Sequence, residues 1–517
     1  MACHSNSSSE EEHDEDLDVF KPVLAALQLQ RVPSLASAVR ARRTGISIPI
    51  ECRIISPPLY GCDHICFLIH FVDNVRWLIR IPATGYRGRF DGITARALAS
   101  EAQTMQLLKH QTTIPVPEVF QFDASLENEL NCPYILMDYI NGVALYDIWF
   151  DDNASKDILE QRRISILQEL ASNMVQLDKF AYKNGGQLSF NQEQELTNIG
   201  PMKFVDESAM LARLKTDDPD ETLIFRELGP FEDTTSFFLA MLDRHNSPLD
   251  PFNKGVNKLL RLFISWIPLK YPNDFVLSHP DFHRLNILVA EDGSLRGLVD
   301  WDGVAAVPRC VGNRRYPSWL ICDWDPELYS YDSKQDDTDQ KEDSPEELAR
   351  YREIYAQAME RTLSECDLGQ NITRNSLILE NIRIAADEPF YRTGIVDKIF
   401  REIALIVAPE TLEEGPTESD EGDKAEDGAE AEERDEVDGE DEEPKIAEEA
   451  FAGTDTDLEQ GDGARTGNTE SDSTDDDDES DEESDFYVHD IALALAEGNL
   501  DEKRLGILKD GFLRLFA

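Results

Sequence analysis

The period of the hydrophobic residues changes once along this chain, and that change constrains the fold more than any single motif. In 48–56, 64–72, 75–82, 114–123 and 132–140 the apolar residues form short alternating or continuous runs. Bounded by turns such as Asp73-Asn74, these read as five strands. Between the third and fourth lies 93–111, whose apolar spacing is that of an amphipathic helix. After Tyr139 the period becomes helical, over 154–183, 233–245, 254–268, 346–365 and 374–386. The pattern predicts an α+β chain: a five-stranded antiparallel sheet with one helix, then a mostly helical region. One stretch interrupts the helical half. Leu277–Gly303 reads as loop, strand, turn at Asp292-Gly293, strand and loop.

Charge divides the chain a second way. The net charge is −55 over 517 residues. Residues 410–485 hold 36 Asp and Glu against 4 Lys and Arg, a net of −32 that leaves −23 elsewhere. A tract so acidic and so poor in aromatic residues cannot build a core. The expected organisation is a disordered N-terminus at 1–17, an N-lobe at 18–137 and a helical C-lobe at 138–408. A disordered acidic insertion at 409–485 follows, then a C-terminal segment at 486–517 whose helical period suits docking on the C-lobe. A chain this negative repels nucleic acid and anionic membranes, and no run approaches 18 apolar residues, so neither is an expected partner. The acidic tract suits a protein partner. Eight scattered cysteines read as reduced thiols. With an acidic opening stretch that matches no secretory or transit signal, the expectation is a cytoplasmic protein, or a nuclear one.

The interrupting stretch carries the chemistry. Asp281 is followed five residues on by Asn286, and Asp300 lies nineteen residues after Asp281. The turn at Asp292-Gly293 folds the two strands together and brings Asp300 beside Asn286. Phosphoryl transfer from ATP needs charge neutralisation and in-line positioning, and this set can supply both. Asp281 can accept the proton of a substrate hydroxyl, while Asn286 and Asp300 offer the hard oxygen ligands that Mg²⁺ prefers. His279 reads as a structural support of the loop and His283 as an exposed loop residue. Asp302 reads equally as a metal ligand or as a cap. Cys62, His64, Cys66 and His70 have soft donors, but one straight strand cannot wrap a tetrahedral ion, so zinc is not expected.

His279-x-Asp281-x4-Asn286 followed by Val299-Asp300-Trp301-Asp302 resembles the catalytic and metal loops of aminoglycoside phosphotransferase-like proteins. These are small-molecule kinases related in fold to choline kinases and protein kinases. The resemblance covers roughly 45–330 and implies a bilobal kinase-like fold binding ATP and Mg²⁺ between the lobes. It makes Asp281 the catalytic base and places Asn286 and Asp300 on the metal. Glu101 would pair with the phosphate-binding cation, and the backbone from Met137 to Tyr139 would meet adenine. Two departures stand out. The third strand, Trp77-Leu78-Ile79-Arg80, offers Arg80 where the family carries lysine, and the two are not interchangeable at a fitted site. The phosphate-covering turn has one glycine, Gly61. The implied reaction is phosphoryl transfer to a hydroxyl of a small molecule, cationic or polyol if the acidity of the C-lobe is a guide. Arg80 and the glycine-poor turn favour a kinase-like scaffold without turnover as the alternative.

Overall fold

The computed structural model describes residues 17–45, 48–191, 193–206, 209–210, 224–245, 249–267, 275–332, 341–363, 371–407 and 488–516. Contacts divide the chain into two units, 1–409 with 486–517, and 410–485. Residues 1–16 of the acidic opening and the tract 409–485 lie outside the described residues. The two lobes belong to the first unit.

Its N-lobe is built on strands β1 (Cys52–Tyr60), β2 (His64–Phe71), β3 (Arg76–Pro82), β4 (Val119–Asp123) and β5 (Tyr134–Asp138). They form one sheet in the order β1-β2-β3-β5-β4, every pair antiparallel. The period-2 rule sorts β2 into two faces. Ile65, Phe67, Ile69 and Phe71 are buried. They share a core with Val32, Leu35 and Val39 of helix α1 (Val32–Thr44), which stops at Gly45 in the left-handed conformation with φ +68°. His64 and Cys66 take the other face of β2, and Cys66 lies opposite Arg80 of β3. Helix α2 (Gly92–Gln111) starts at a capping box between Asp91 and Thr94. Its buried stripe runs Leu98, Glu101, Ala102, Met105 and Leu108. A carboxylate in the middle of an apolar stripe is a conflict between pattern and burial that only a partner can resolve.

The C-lobe mixes helices with short strands. Beyond β6 (Val143–Ala144), helix α3 (Lys156–Val175) leads into β7 (Ala181–Tyr182) and two hairpins, β8 (Gln187–Phe190) with β9 (Leu196–Gly200), and β10 (Met202–Val205) with β11 (Phe225–Leu228). These hairpins lie within a region read from the sequence as helical or left unassigned. Strands of four or five residues give too few periods for alternation to register. Helices α4 (Thr234–Asp243) and α5 (Pro251–Trp266) follow. Next come β12 (Phe275–Ser278), β13 (Ile287–Val289), β14 (Leu295–Leu298) and β15 (Ala305–Pro308). β12 pairs with both β15 and β7, and β13 pairs with both β14 and β6. The sequence reading placed Val276–Ser278 in a loop; its partners lie 27 or more residues away and leave no local trace.

Helices α6 (Pro345–Thr362), α7 (Ile372–Asp387) and α8 (Pro389–Val407) complete the lobe, with α9 (Val488–Glu497) and α10 (Glu502–Arg514) packed on it. Gly255 of α5 meets α9 backbone to backbone: a Cβ there would lie 1.8 Å from the Ala492 carbonyl oxygen. Lys258 Nζ donates to the Leu495 carbonyl at 2.8 Å, at the end of α9 where carbonyls lack helical partners. Phe512 of α10 stacks on Phe263 at 4.9 Å between centroids, a contact of ~1 kcal/mol beyond its buried area. The α+β architecture expected from the change of period, a five-stranded antiparallel sheet followed by a mostly helical region, is the one observed.

Candidate active site

The loop after β12 is fixed from below. His279 is buried, and its Nε2 donates to the Val299 carbonyl at 2.9 Å. Its ring lies 4.5 Å from that of Trp301. Burial pushes His279 down to about 4, against the hydrogen bond to Val299, so the ring is neutral at pH 7. Arg315, also buried, holds the same turn by donating to Ser278 Oγ at 2.6 Å and to the His279 carbonyl at 2.9 Å. Its Nε lies 3.5 Å from Glu380. The sequence reading gave Arg315 no role of its own, because it lies 34 residues beyond Asp281.

On this base the loop presents Asp281. Its side chain is exposed and accepts from Asn286 Nδ2 at 2.9 Å. The same amide donates to the Asp281 carbonyl at 3.1 Å. Both bonds use the Asn286 amide nitrogen, so Oδ1 is not spent on Asp281. The Asn286 carbonyl accepts from Val299 N at 2.9 Å, which ties the loop to the end of β14. His283 is half-buried, and its ring accepts from Leu285 N at 3.4 Å.

The β13–β14 hairpin turns at Gly293, with φ +84°, and delivers Asp300 two residues after Leu298. Asp300 itself has φ +60°. A left-handed residue other than glycine costs of order 1–3 kcal/mol and is found where surrounding structure enforces it, often at sites of function. The Asp300 carboxylate is half-exposed, and Oδ1 lies 3.3 Å from Arg80 Nη2. Burial of the group raises its pKa, and the neighbouring Asp302 and Asp281 add to this against the pull of Arg80.

Arg80 is the point where the lobes meet. It forms a buried pair with Glu101 of α2, which resolves the conflict noted in that helix. Burial and the Asp302 and Asp300 carboxylates push Glu101 up, while Arg80 opposes them. Arg80 Nη2 also lies 3.2 Å from both ring nitrogens of His64. Burial and the Arg80 charge hold His64 well below its usual range, so it too is neutral. Around these residues lies a pocket to which Asp302 and Lys203 contribute, with Lys203 Nζ 3.8 Å from Asp302 Oδ2. Burial of Asp302 works against its ionisation, yet Lys203, His64 and Arg80 prevail and hold it well below the usual carboxylate range. Arg80, Glu101, Asp300 and Asp302 are thus brought together. Lys203 was not anticipated, because its strand was not.

Three expected nucleotide contacts read differently in the structure. The Gly61 N–H donates to the His64 carbonyl at 2.9 Å, closing its own turn, and is not presented to a phosphate. The Tyr139 N–H donates to the Arg76 carbonyl at 3.2 Å, and the Asp138 N–H to Glu118 at 3.0 Å. Within the segment expected to meet adenine these two N–H groups are thus spent on the sheet, because pairing continues through the end of β5. Met137 sits within β5 between β3 and β4.

A second cavity, about 120 Å³, lies in the C-lobe beside His279, Pro280 and Gly303. Met202, Phe204, Phe237, Met241 and Val307 wall it. Arg315, Arg383 and Asp387 form its polar end, with Arg383 Nη1 3.5 Å from Asp387. His279 Nδ1 is buried and without a hydrogen-bond partner among the described residues.

With this geometry in place, comparison with known proteins is informative. Residues 71–310 match the model of the phosphotransferase enzyme family. A subtelomeric hrmA-associated cluster protein of Aspergillus fumigatus is 26% identical over 276 residues, covering 43% of this chain and 52% of that protein. The chain thus spans about half the length of that relative. The protein named "Altered inheritance of mitochondria protein 9, mitochondrial" of Kluyveromyces lactis is 22% identical over 395 residues, covering 66% of this chain and 61% of that one. A solved structure of aminoglycoside phosphotransferase APH(4)-Ia is 16% identical, covers 70% of this chain and 92% of its own, and has a TM-score of 0.36. The names of the yeast relatives, repeated in two Candida species, overturn the expected cytoplasmic placement. That expectation rested on the scattered cysteines read as reduced thiols and on the acidic opening stretch, and neither places a protein in a compartment. The part of the chain that matches the phosphotransferase enzyme family, 71–310, is the part that holds the Arg80–Glu101 pair and the Asp281, Asn286 and Asp300 loops.

Proposed function

We propose that this chain transfers the γ-phosphoryl group of ATP to a hydroxyl of a small molecule. The observation that supports this best is the convergence at Arg80. A buried cation paired with a helix acid meets, at 3.3 Å, the acid that follows the β13–β14 hairpin. Asp281 takes the proton of the acceptor hydroxyl. The hydroxyl oxygen then bonds to the γ-phosphorus as the bond from phosphorus to the ADP oxygen breaks. Asn286 holds Asp281 in place through its amide hydrogens, which leaves its own oxygen for another partner. Mg²⁺ commonly binds one or two carboxylates plus phosphates and water, and one carboxylate with one amide oxygen fits that habit. The described residues contain no cluster of three His, Cys, Asp or Glu that would make a closed cage. Asn286 and Asp300 would hold the ion, which when bound neutralises phosphate charge.

The acceptor's place in this reading is the cavity beside Pro280, one residue before Asp281. Its walls are Met and Phe side chains, and its size suits a compact apolar body of roughly benzene dimensions. A hydroxyl compound with such a body fits better than a cationic polyol. The names of the yeast relatives suggest mitochondria as the site of action, which fractionation of tagged full-length protein would check.

Calorimetric titration of ATP, with and without Mg²⁺, tests the nucleotide half of the reading. Binding that depends on Mg²⁺ and disappears in Asp300→Ala is expected. The scaffold alternative draws on two observations, that Arg80 is already held by Glu101, Asp300 and His64 and that the Gly61 and Tyr139 donors are occupied. Wild-type protein that ignores ATP at millimolar concentration would decide for it.

A further inference from the structure

The third strand lacks a lysine, and the cation it does carry is committed. Arg80 touches Glu101, Asp300 and His64 at once and is almost fully buried. A phosphate binder needs donors that can turn toward an incoming anion, and a three-way-fixed guanidinium has few to offer. The chain carries a second cation in the same pocket, from an element far away in sequence.

That cation is Lys203, at the middle of β10. Strand alternation explains how it gets there. Met202 and Phe204 point to the C-lobe cavity, and Lys203 between them takes the opposite face, into the pocket of His64, Arg80, Glu101 and Asp302. The hairpin is tied on both sides. Glu227, directly across from Lys203, accepts from Arg96 of α2 at 2.7 Å. Arg226, across from Phe204, donates to the Arg244 carbonyl at 2.6 Å. One strand pair is thereby fastened to the N-lobe helix on one face and to the C-lobe on the other.

The Lys203 ammonium itself is lightly held. Its one ion pair, to Asp302, is 3.8 Å long, which is beyond hydrogen-bond distance, and no hydrogen bond from Nζ is made among the described residues. The Phe225 ring lies 5.1 Å beneath it and positions it without using its donors. Its side chain is about one-quarter exposed (24%), so the charge is only partly screened by water. A compact ammonium with three rotatable donors, at the edge of a pocket that already holds a buried cation, is suited to phosphate oxygens.

We propose that Lys203, supplied by the β10–β11 hairpin, is the phosphate-binding lysine of this site, standing in for the lysine that β3 lacks. Arg80 then serves as the structural link between Glu101 and Asp300. This assignment rests on the nucleotide reading given above. The test is calorimetry of ATP and of adenosine, both with Mg²⁺, on full-length wild type, Lys203→Met, Lys203→Arg and the double variant Arg80→Lys/Lys203→Met. The expected result is ATP binding weakened ~10- to 100-fold in Lys203→Met, the loss of one charge-assisted contact, with adenosine binding unchanged. Lys203→Arg should recover part of the loss. The double variant should not recover it, since a lysine at position 80 remains fixed to Glu101. ATP binding undiminished in Lys203→Met overturns the proposal. So does equal weakening of ATP and adenosine together with a lower melting temperature, which would make Lys203 a hairpin anchor. Recovery in the double variant overturns it as well, by returning the role to position 80. Wild type that binds neither ligand removes the nucleotide reading, and the assignment falls with it.

Discussion

The two sides of the candidate site are built in opposite ways. The acid side, Asp281, Asn286 and Asp300, comes from one span of twenty residues, braced within itself by Asn286 on Asp281 and by Val299 on Asn286. The cation side is assembled from four distant segments: His64 on β2, Arg80 on β3, Glu101 on α2 and Lys203 on β10. A local site is held by turn chemistry and tolerates movement of its surroundings. A distributed site exists only while both lobes and the inserted hairpin hold their places. The difference predicts that variants on the acid side change chemistry with the fold intact, while variants of the buried Arg80–Glu101 pair on the cation side change binding and packing together.

The largest effect should come from the acid side. Asp281→Asn keeps the shape and can still bond to Asn286, but it cannot accept a proton at neutral pH. Transfer to a hydroxyl acceptor should fall by ~10²- to 10⁴-fold, read as ADP formed in the presence of an aryl alcohol panel. Affinity for ATP and the melting temperature should stay close to wild type. A comparable loss of ATP affinity would mean that Asp281 holds the nucleotide, and the contrast between the two sides would blur.

The same contrast governs what the sequence discloses. The acid side is legible because its residues are near neighbours at spacings set by one hairpin, and a turn at Asp292-Gly293 is a local signal. The five strands and α2 of the N-lobe are legible because their periods run over enough residues. Lys203 is not, since β10 is four residues long and its partner β11 begins twenty residues later. Arg315 is not, because its role exists only where the chain after β15 returns beneath the loop. Even Glu101 was read through family resemblance, although a lone acid in the apolar stripe of α2 is a physical signal in its own right. The occupied N–H groups of Gly61 and Tyr139 depend on closing bonds, which residue identity does not show.

A second prediction tests the brace of the acid side through pH. His279 is depressed from 6.5 to about 4 by burial, so the folded state resists a proton that the unfolded chain accepts. Its contribution is fully present above pH 6.5 and is lost as pH falls from there toward 4. The full loss is ~3 kcal/mol, from ~1.36 kcal/mol per pH unit of difference. His279→Asn, which can still donate to Val299, should flatten that part of the curve. The difference between denaturant titrations of the two proteins at pH 7 and at pH 4.5 isolates the imidazole. Parallel pH profiles would show that His279 is not held neutral, and the loop would need another brace.

The smallest effect on stability, and the one that probes where the two sides meet, belongs to Asp300. Its left-handed conformation, φ +60°, is a strain that glycine does not carry. Its carboxylate gains a 3.3 Å contact with Arg80 but suffers burial and the repulsion of Asp302 and Asp281. The contact is half-exposed and screened, so it returns little stability. Asp300→Gly should therefore keep the stability of the wild type or exceed it by ~1 kcal/mol, while Mg²⁺-dependent ATP binding is lost. Asp300→Asn, which tolerates the same backbone and keeps the shape, should fall between the two in stability and also lose the metal dependence. A residue that costs stability and whose removal abolishes binding is one held in place for function. If Asp300→Gly is instead destabilised by more than ~1 kcal/mol in denaturant unfolding, the Arg80 contact is a structural clasp between the lobes, and the strain at Asp300 belongs to the fold.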